Sequence, residues 1–103
     1  MNLRPGIFQF TYNIGNSDVR IYDVFRDGQI REKTAKTNDM HFISTSQAMQ
    51  KLDTMIEIAI REHKRFEKVM LYDKITKTKL DVLLTIKRFM LENEITDNEV
   101  RYF

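Results

Sequence analysis

No cysteine occurs anywhere in the chain. That one absence removes disulfides, thiolate metal sites and thiol nucleophiles together, and it fits a reducing compartment. Glycine is scarce, and Gly6, Gly15 and Gly28 stand too far apart to cradle a phosphate. Ser17, Ser44 and Ser46 sit in turn or cap contexts, with no nucleophile-elbow glycines around them. Long hydrophobic runs are missing as well. No window approaches the roughly 18 apolar residues of a membrane-crossing helix. Charged or turn residues interrupt the amino-terminal stretch MNLRPGIFQF before it reaches the length of a signal peptide. Repeats and low-complexity segments are also absent. These gaps predict a soluble, cytoplasmic protein with no membrane partner.

What remains is enough for one domain over residues 1–103. With 42% hydrophobic and 31% charged residues, the chain can bury a modest core. The net charge of +2 hides an asymmetry. Between positions 61 and 90, nine basic residues face four acidic ones, leaving +5. From 91 to 103, Arg101 alone opposes Glu92, Glu94, Asp97 and Glu99. A basic middle before an acidic end can steer an anionic ligand or pair with itself.

Residues 7–14 (IFQFTYNI) alternate, with Phe8, Phe10, Tyr12 and Ile14 on one face, which predicts a strand. Turn chemistry at 15–18 leads to a second strand over 19–25. Asp27-Gly28 predicts a tight type I′ hairpin, and a third strand near 29–33 follows. Its charges suit a protected sheet edge. Residues 34–41 are polar and aperiodic, hence a loop. Ser44 and Gln47 then match a capping box. The helix it opens carries Ala48, Met49, Leu52, Met55, Ile56, Ala59, Ile60, His63 and Phe66 as one apolar stripe. Residues 68–72 (KVMLY) read as a short buried strand, 73–78 as a connector, and 99–103 as a last short strand.

The stretch 79–93 (KLDVLLTIKRFMLEN) is the most informative. Wound as a helix, it puts Val82, Leu83, Ile86, Phe89 and Met90 on one face and Leu80, Leu84 and Leu91 on the opposite one. Leu80, Val82, Leu84 and Ile86 also alternate, so a hairpin of 68–75 with 79–86 competes. The two-stripe pattern outlasts the usual strand length and favours the helix. The expected fold is α+β, a small antiparallel sheet from an amino-terminal β-meander packed against two helices, in the order β-β-β-α-β-α-β.

Little in the chain points to chemistry. His63 falls on an apolar stripe and His41 in a polar loop, without further ligands at metal-site spacing. Glu62-His63-Lys64, with Asp53 upstream, resembles a metal-dependent nuclease pair in letters only, because the three point around a helix. Asp23 shares a strand face with Val19, Ile21 and Phe25, which a satisfied buried carboxylate explains as well as general-base work does. No enzyme, metal or cofactor is expected.

Two binding readings stay open. A second apolar stripe on a helix marks a protein contact, with Leu80, Leu84 and Leu91 as anchors and Lys87 and Arg88 at the rim. The partner is another protein or a second copy in a homodimer, and the chain would be a regulator or stoichiometric inhibitor. The competing account buries both stripes, with the second helix between the sheet and the first. Alternatively, Arg20, Tyr22 and Arg26 share one strand face and could hold nucleic acid by stacking and phosphate contacts.

Overall fold

Alternation in the first third of the chain becomes a meander. In the computed structural model, which describes residues 6–15, 17–66 and 70–101, β1 (Phe8–Tyr12), β2 (Arg20–Val24), β3 (Ile30–Thr34) and β4 (Met40–Ile43) follow one another. They form one antiparallel sheet in the order β1-β2-β3-β4. Two helices, α1 (Thr45–Phe66) and α2 (Met70–Glu92), come next, and a single 3₁₀ turn spans Asp97–Glu99. The class is α+β, as expected. The order is β-β-β-β-α-α, which differs from expectation at three places.

The first difference is β4, which pairs with β3 through Ile30↔Ile43 and Glu32↔His41 where a loop was expected up to residue 41. Asn38 makes the reversal possible: it takes φ 60°, Thr34 N–H donates to Asp39 O at 2.9 Å, and Asn38 N–H donates to Thr34 O at 2.8 Å. Asparagine tolerates the left-handed region because its short polar side chain bonds locally. With β4 in place, β3 lies inside the sheet and is not its edge. Its charges are therefore not edge protection. Arg31 pairs with Asp23 at 2.8 Å, and Glu32 accepts from Tyr22 and Arg20.

The second difference lies at residues 68–72. The described part of this stretch is helical, because α2 begins at Met70 and absorbs the expected connector 73–78. Lys68 and Val69 lie outside the described residues. The helix therefore prevails over the hairpin. The third is the carboxyl end, where the 3₁₀ turn ends at Glu99 and Val100 and Arg101 are not in a strand. Tyr102 and Phe103 lie outside the described residues.

One face of the sheet is covered by the helices. Phe10, Tyr22, Val24 and Ile30 form a single cluster with Ala48, Leu52 and Ala59 of α1 and with Leu83, Ile86 and Met90 of α2. The two alanines let α1 lie close to the strands. Its start is fixed as the sequence predicts: Ser44 N–H donates to Gln47 Oε1 at 3.0 Å, and Gln47 N–H donates back to Ser44 Oγ at 3.4 Å. Past α2 the chain returns to this point. Ile95 N–H donates to Thr45 Oγ1, and Thr45 N–H to Ile95 O.

The β2–β3 turn also departs from expectation. Phe25 N–H bonds Gln29 O and Gly28 N–H bonds Phe25 O, which makes a three-residue loop. Only Gly28, and not Asp27, has positive φ, at 90°. This is a type I turn closed by a left-handed glycine, whereas type I′ needs positive φ at both central positions. Gly28 also abuts the end of α2, where an added Cβ would meet Asn93 O at 2.6 Å. Backbone strain and steric overlap then act together. Gly28→Ala should lower stability by about 1–3 kcal/mol, read as a drop in urea midpoint at unchanged m.

Candidate interaction surface

The side chains that suggested chemistry are engaged in structural contacts. Asp23 accepts from Arg31 at 2.8 Å and from Gln9 Nε2 at 3.0 Å, so it is a satisfied buried carboxylate. His63 Nδ1 lies 3.3 Å from Thr76 Oγ1 across the two helices. His41 Nε2 lies 3.1 Å from Glu32 Oε1. Asp53 and Glu62 pair with Lys87 and Lys79 of α2 at 2.7 and 3.3 Å. Among the described residues, no three acidic or histidine side chains are grouped to hold a metal ion. None of the described helices is long and apolar enough to cross a membrane.

Of the residues expected to meet nucleic acid, Tyr22 and Arg20 belong to the interior network. Tyr22 is fully buried and stacked on Phe10, with centroids 4.7 Å apart and rings 10° from parallel. Its hydroxyl donates to Glu32 Oε2 at 2.6 Å. Arg20 spans Asp18 at 2.9 Å and Glu32 at 3.0 Å, and the Asp18 hydrogen bond, helped by both acids' charges, raises its already high pKa. Arg26 is exposed beside the β2–β3 turn. Tyr22 thus has no free ring face on which a base could stack. Alternation placed Arg20 and Tyr22 on one face of β2, the one beneath the helices, whereas Arg26 lies past the strand end, in the exposed turn, and does not share that face.

Helix α2 carries the residues expected at a protein contact. Leu83, Ile86 and Met90 point into the core. Leu80, expected among the anchors, is half-buried and packs against that core. Leu84 and Leu91 remain 44% and 53% exposed. The account in which α2 buries both stripes therefore does not hold. Lys87, expected at an open rim, reaches across to Asp53 of α1, while Arg88 is exposed. Ile60, assigned by its spacing to the core stripe of α1, is exposed as well. It stands two turns after Asp53 and so shares that residue's face. Leu84, Leu91 and Ile60 thus flank the Asp53–Lys87 bridge on the outer side of the helix pair.

A second surface escaped the sequence reading. Between β1 and α2 runs a groove of about 470 Å³, lined by Gln9, Phe10, Thr11 and Asn13 on one side and by Met55, Lys79, Val82 and Leu83 on the other. A further depression of about 250 Å³ carries it past Val82 to Phe8, Asp81 and Thr85. Only a pairing scheme would have exposed it, because the groove depends on which strand is left at the edge.

In comparisons with known proteins, no family model matches the chain, and no curated protein or solved structure matches it significantly. The surfaces themselves are therefore the guide to function.

The buried Tyr22 gives a prediction in pH. Burial, first, and the hydrogen bond to Glu32, second, push its hydroxyl well above the ordinary tyrosine range. The unfolded chain releases this proton near pH 10 while the folded chain keeps it. The contribution is therefore complete below about pH 10 and is lost as pH rises beyond it. Urea unfolding between about pH 8 and 11 should show stability falling by up to about 1.4 kcal/mol per pH unit from this group. Tyr22→Phe should remove that part of the slope. It should also cost about 1–3 kcal/mol at neutral pH by taking a donor from Glu32.

Proposed function

We propose that this chain is a small non-enzymatic binding protein that works through protein–protein contacts, with a second copy of itself as the first partner to test. The observation that carries this reading is the exposure of Leu84 and Leu91 on the outer face of α2, with Ile60 of α1 exposed as well. Apolar side chains gathered on one face of a helix pair lose more by staying in water than by meeting a partner. Arg88 supplies a cationic rim, and the Asp53–Lys87 bridge supplies a polar centre with part of each side chain still open to water. Leu80 is half-buried against the core.

A regulator or stoichiometric inhibitor is the role that suits such a chain, because its ionisable side chains serve the fold. The lack of cysteine supports a cytoplasmic setting. The nucleic-acid alternative has no comparable support, since of its three residues Arg26 alone is left uncommitted.

Solution mass by light scattering tests this, on wild type and on Leu84→Glu, at low and high salt. Wild type should be a dimer whose mass changes little with ionic strength, as expected for an apolar contact. Leu84→Glu should be a monomer with unchanged circular dichroism and stability within about 0.5 kcal/mol of wild type, since the site is exposed. A wild-type monomer at every concentration would remove self-association. Loss of fold on substitution would place Leu84 in the core.

A further inference from the structure

Hydrogen bonding determines what the β1 groove can receive. Phe25 N–H bonds Gln29 O at one end of the β2–β3 ladder, and Ala35 N–H bonds Val19 O at the other. The odd-numbered residues of β2 therefore face β3. In an antiparallel sheet alternate residues of an inner strand bond to alternate neighbours, so Arg20, Tyr22 and Val24 face β1. Their partners are Tyr12, Phe10 and Phe8. The backbone N–H and C=O groups of Gln9 and Thr11 consequently point away from the sheet. Among the described residues β1 pairs only with β2. Both residues line the groove.

An open edge beside an apolar trough has a specific complement. The main chain of an extended segment can satisfy Gln9 and Thr11, while alternate side chains enter the trough over Phe10, Met55 and Val82. Val82 is 50% exposed there and gains cover from such a side chain. Lys79 is the sole charged residue in the deeper part of the lining, and its bond to Glu62 is long and solvent-exposed. This end of the groove therefore favours an acidic side chain.

A second copy fits less well. Val82 and Leu83 already line the groove beside β1, and a copy meeting it edge to edge would bring its own α2 into the same gap. A lone strand brings no helix.

We propose that the β1–α2 groove binds an extended peptide that carries alternating apolar residues and an acidic residue, and that the peptide joins the sheet as a fifth strand beside β1. This surface is separate from the outer face of α2, so Leu84→Glu should leave it intact.

The test is a random library of linear peptides displayed on phage and panned against the full chain, with enriched peptides then synthesised and titrated. Enriched sequences should alternate apolar residues and include an acid. Thr11→Pro removes an outward N–H that the β1–β2 ladder does not use, and prolines are tolerated at such edges. It should weaken binding about tenfold or more. Lys79→Glu should weaken it several-fold, and the effect of Lys79 should fade with salt. Val82→Glu, at an exposed helix position, makes the same test without touching the sheet, in case Thr11→Pro does not fold. The proposal is overturned if no peptide is enriched, or if enriched peptides bind Val82→Glu as tightly as wild type. A dimer abolished by Thr11→Pro or Val82→Glu but not by Leu84→Glu would give the groove to a second copy and overturn it equally.

Discussion

Glu32 carries a carboxylate into the inner face of the sheet, and the register of the strands is arranged around it. Tyr22 and His41 stand directly across from it on β2 and β4, and Arg20 reaches it from the next row of β2. A buried charge is costly unless its lone pairs are taken up, and breaking such a set by removing one partner typically costs several kcal/mol. Side chains alternate along a strand, so slipping β3 by one residue would turn Glu32 outward and carry Arg31 into the core. The polar row thus does what an apolar row does less sharply: it permits one register.

The opposite face of the sheet repeats the arrangement with different partners. Gln9, Asp23, Arg31 and Phe42 form the adjacent cross-strand row. Arg31 bonds Asp23 and lies over the ring of Phe25, 5.1 Å from its centroid, and Phe42 stands 6.0 Å from that ring. The core cluster of α1 and α2 lies on the other side, yet Arg31 is buried here beside Phe25. The sheet has pairing specificity on both faces. The helices are needed chiefly to keep water from one of them.

Much of this was legible in the chain. Alternation in β1, the Ser44–Gln47 cap and the stripe through Ala48, Leu52, Met55 and Ala59 are local signals, and each became the element it implied. What escaped depended on pairing between distant residues. Strand β4 has only four residues, and its partner strand β3 lies across a five-residue connection whose left-handed asparagine looks like ordinary loop composition. Without β4, β3 had to be an edge, and its charges were explained as protection when they were internal bridges. In the same way residues 70–78 read as strand and connector because Lys74, Thr76, Lys77 and Thr78 carry no apolar stripe of their own. They are helical as the first turns of a helix whose apolar stripe begins further on, at Leu80 and Leu83, with Thr76 the buried contact that joins them to α1. For the candidate interface, spacing identified Leu84 and Leu91 but could not separate them from Leu80, which lies nearer the core-facing line of the same helix.

Helix α2 carries more apolar surface than one sheet can use, and the surplus lies on two flanks. Leu84 and Leu91 are on one side of the core line, and Ile75 and Val82 on the other, all of them about half-exposed. The two flanks differ in what lies next to them. Beside Leu84 and Leu91 stands another helix, whose backbone groups are used internally, so only a partner offering side chains can settle there. Beside Val82 stands the edge of a sheet, whose outward backbone groups pair with no other described strand, so a partner there gains main-chain hydrogen bonds as well. A single helix thus borders two surfaces with different demands. Lys87 bridges to Asp53 and Lys79 to Glu62, so each flank of α2 is joined to α1 by an ion pair of its own.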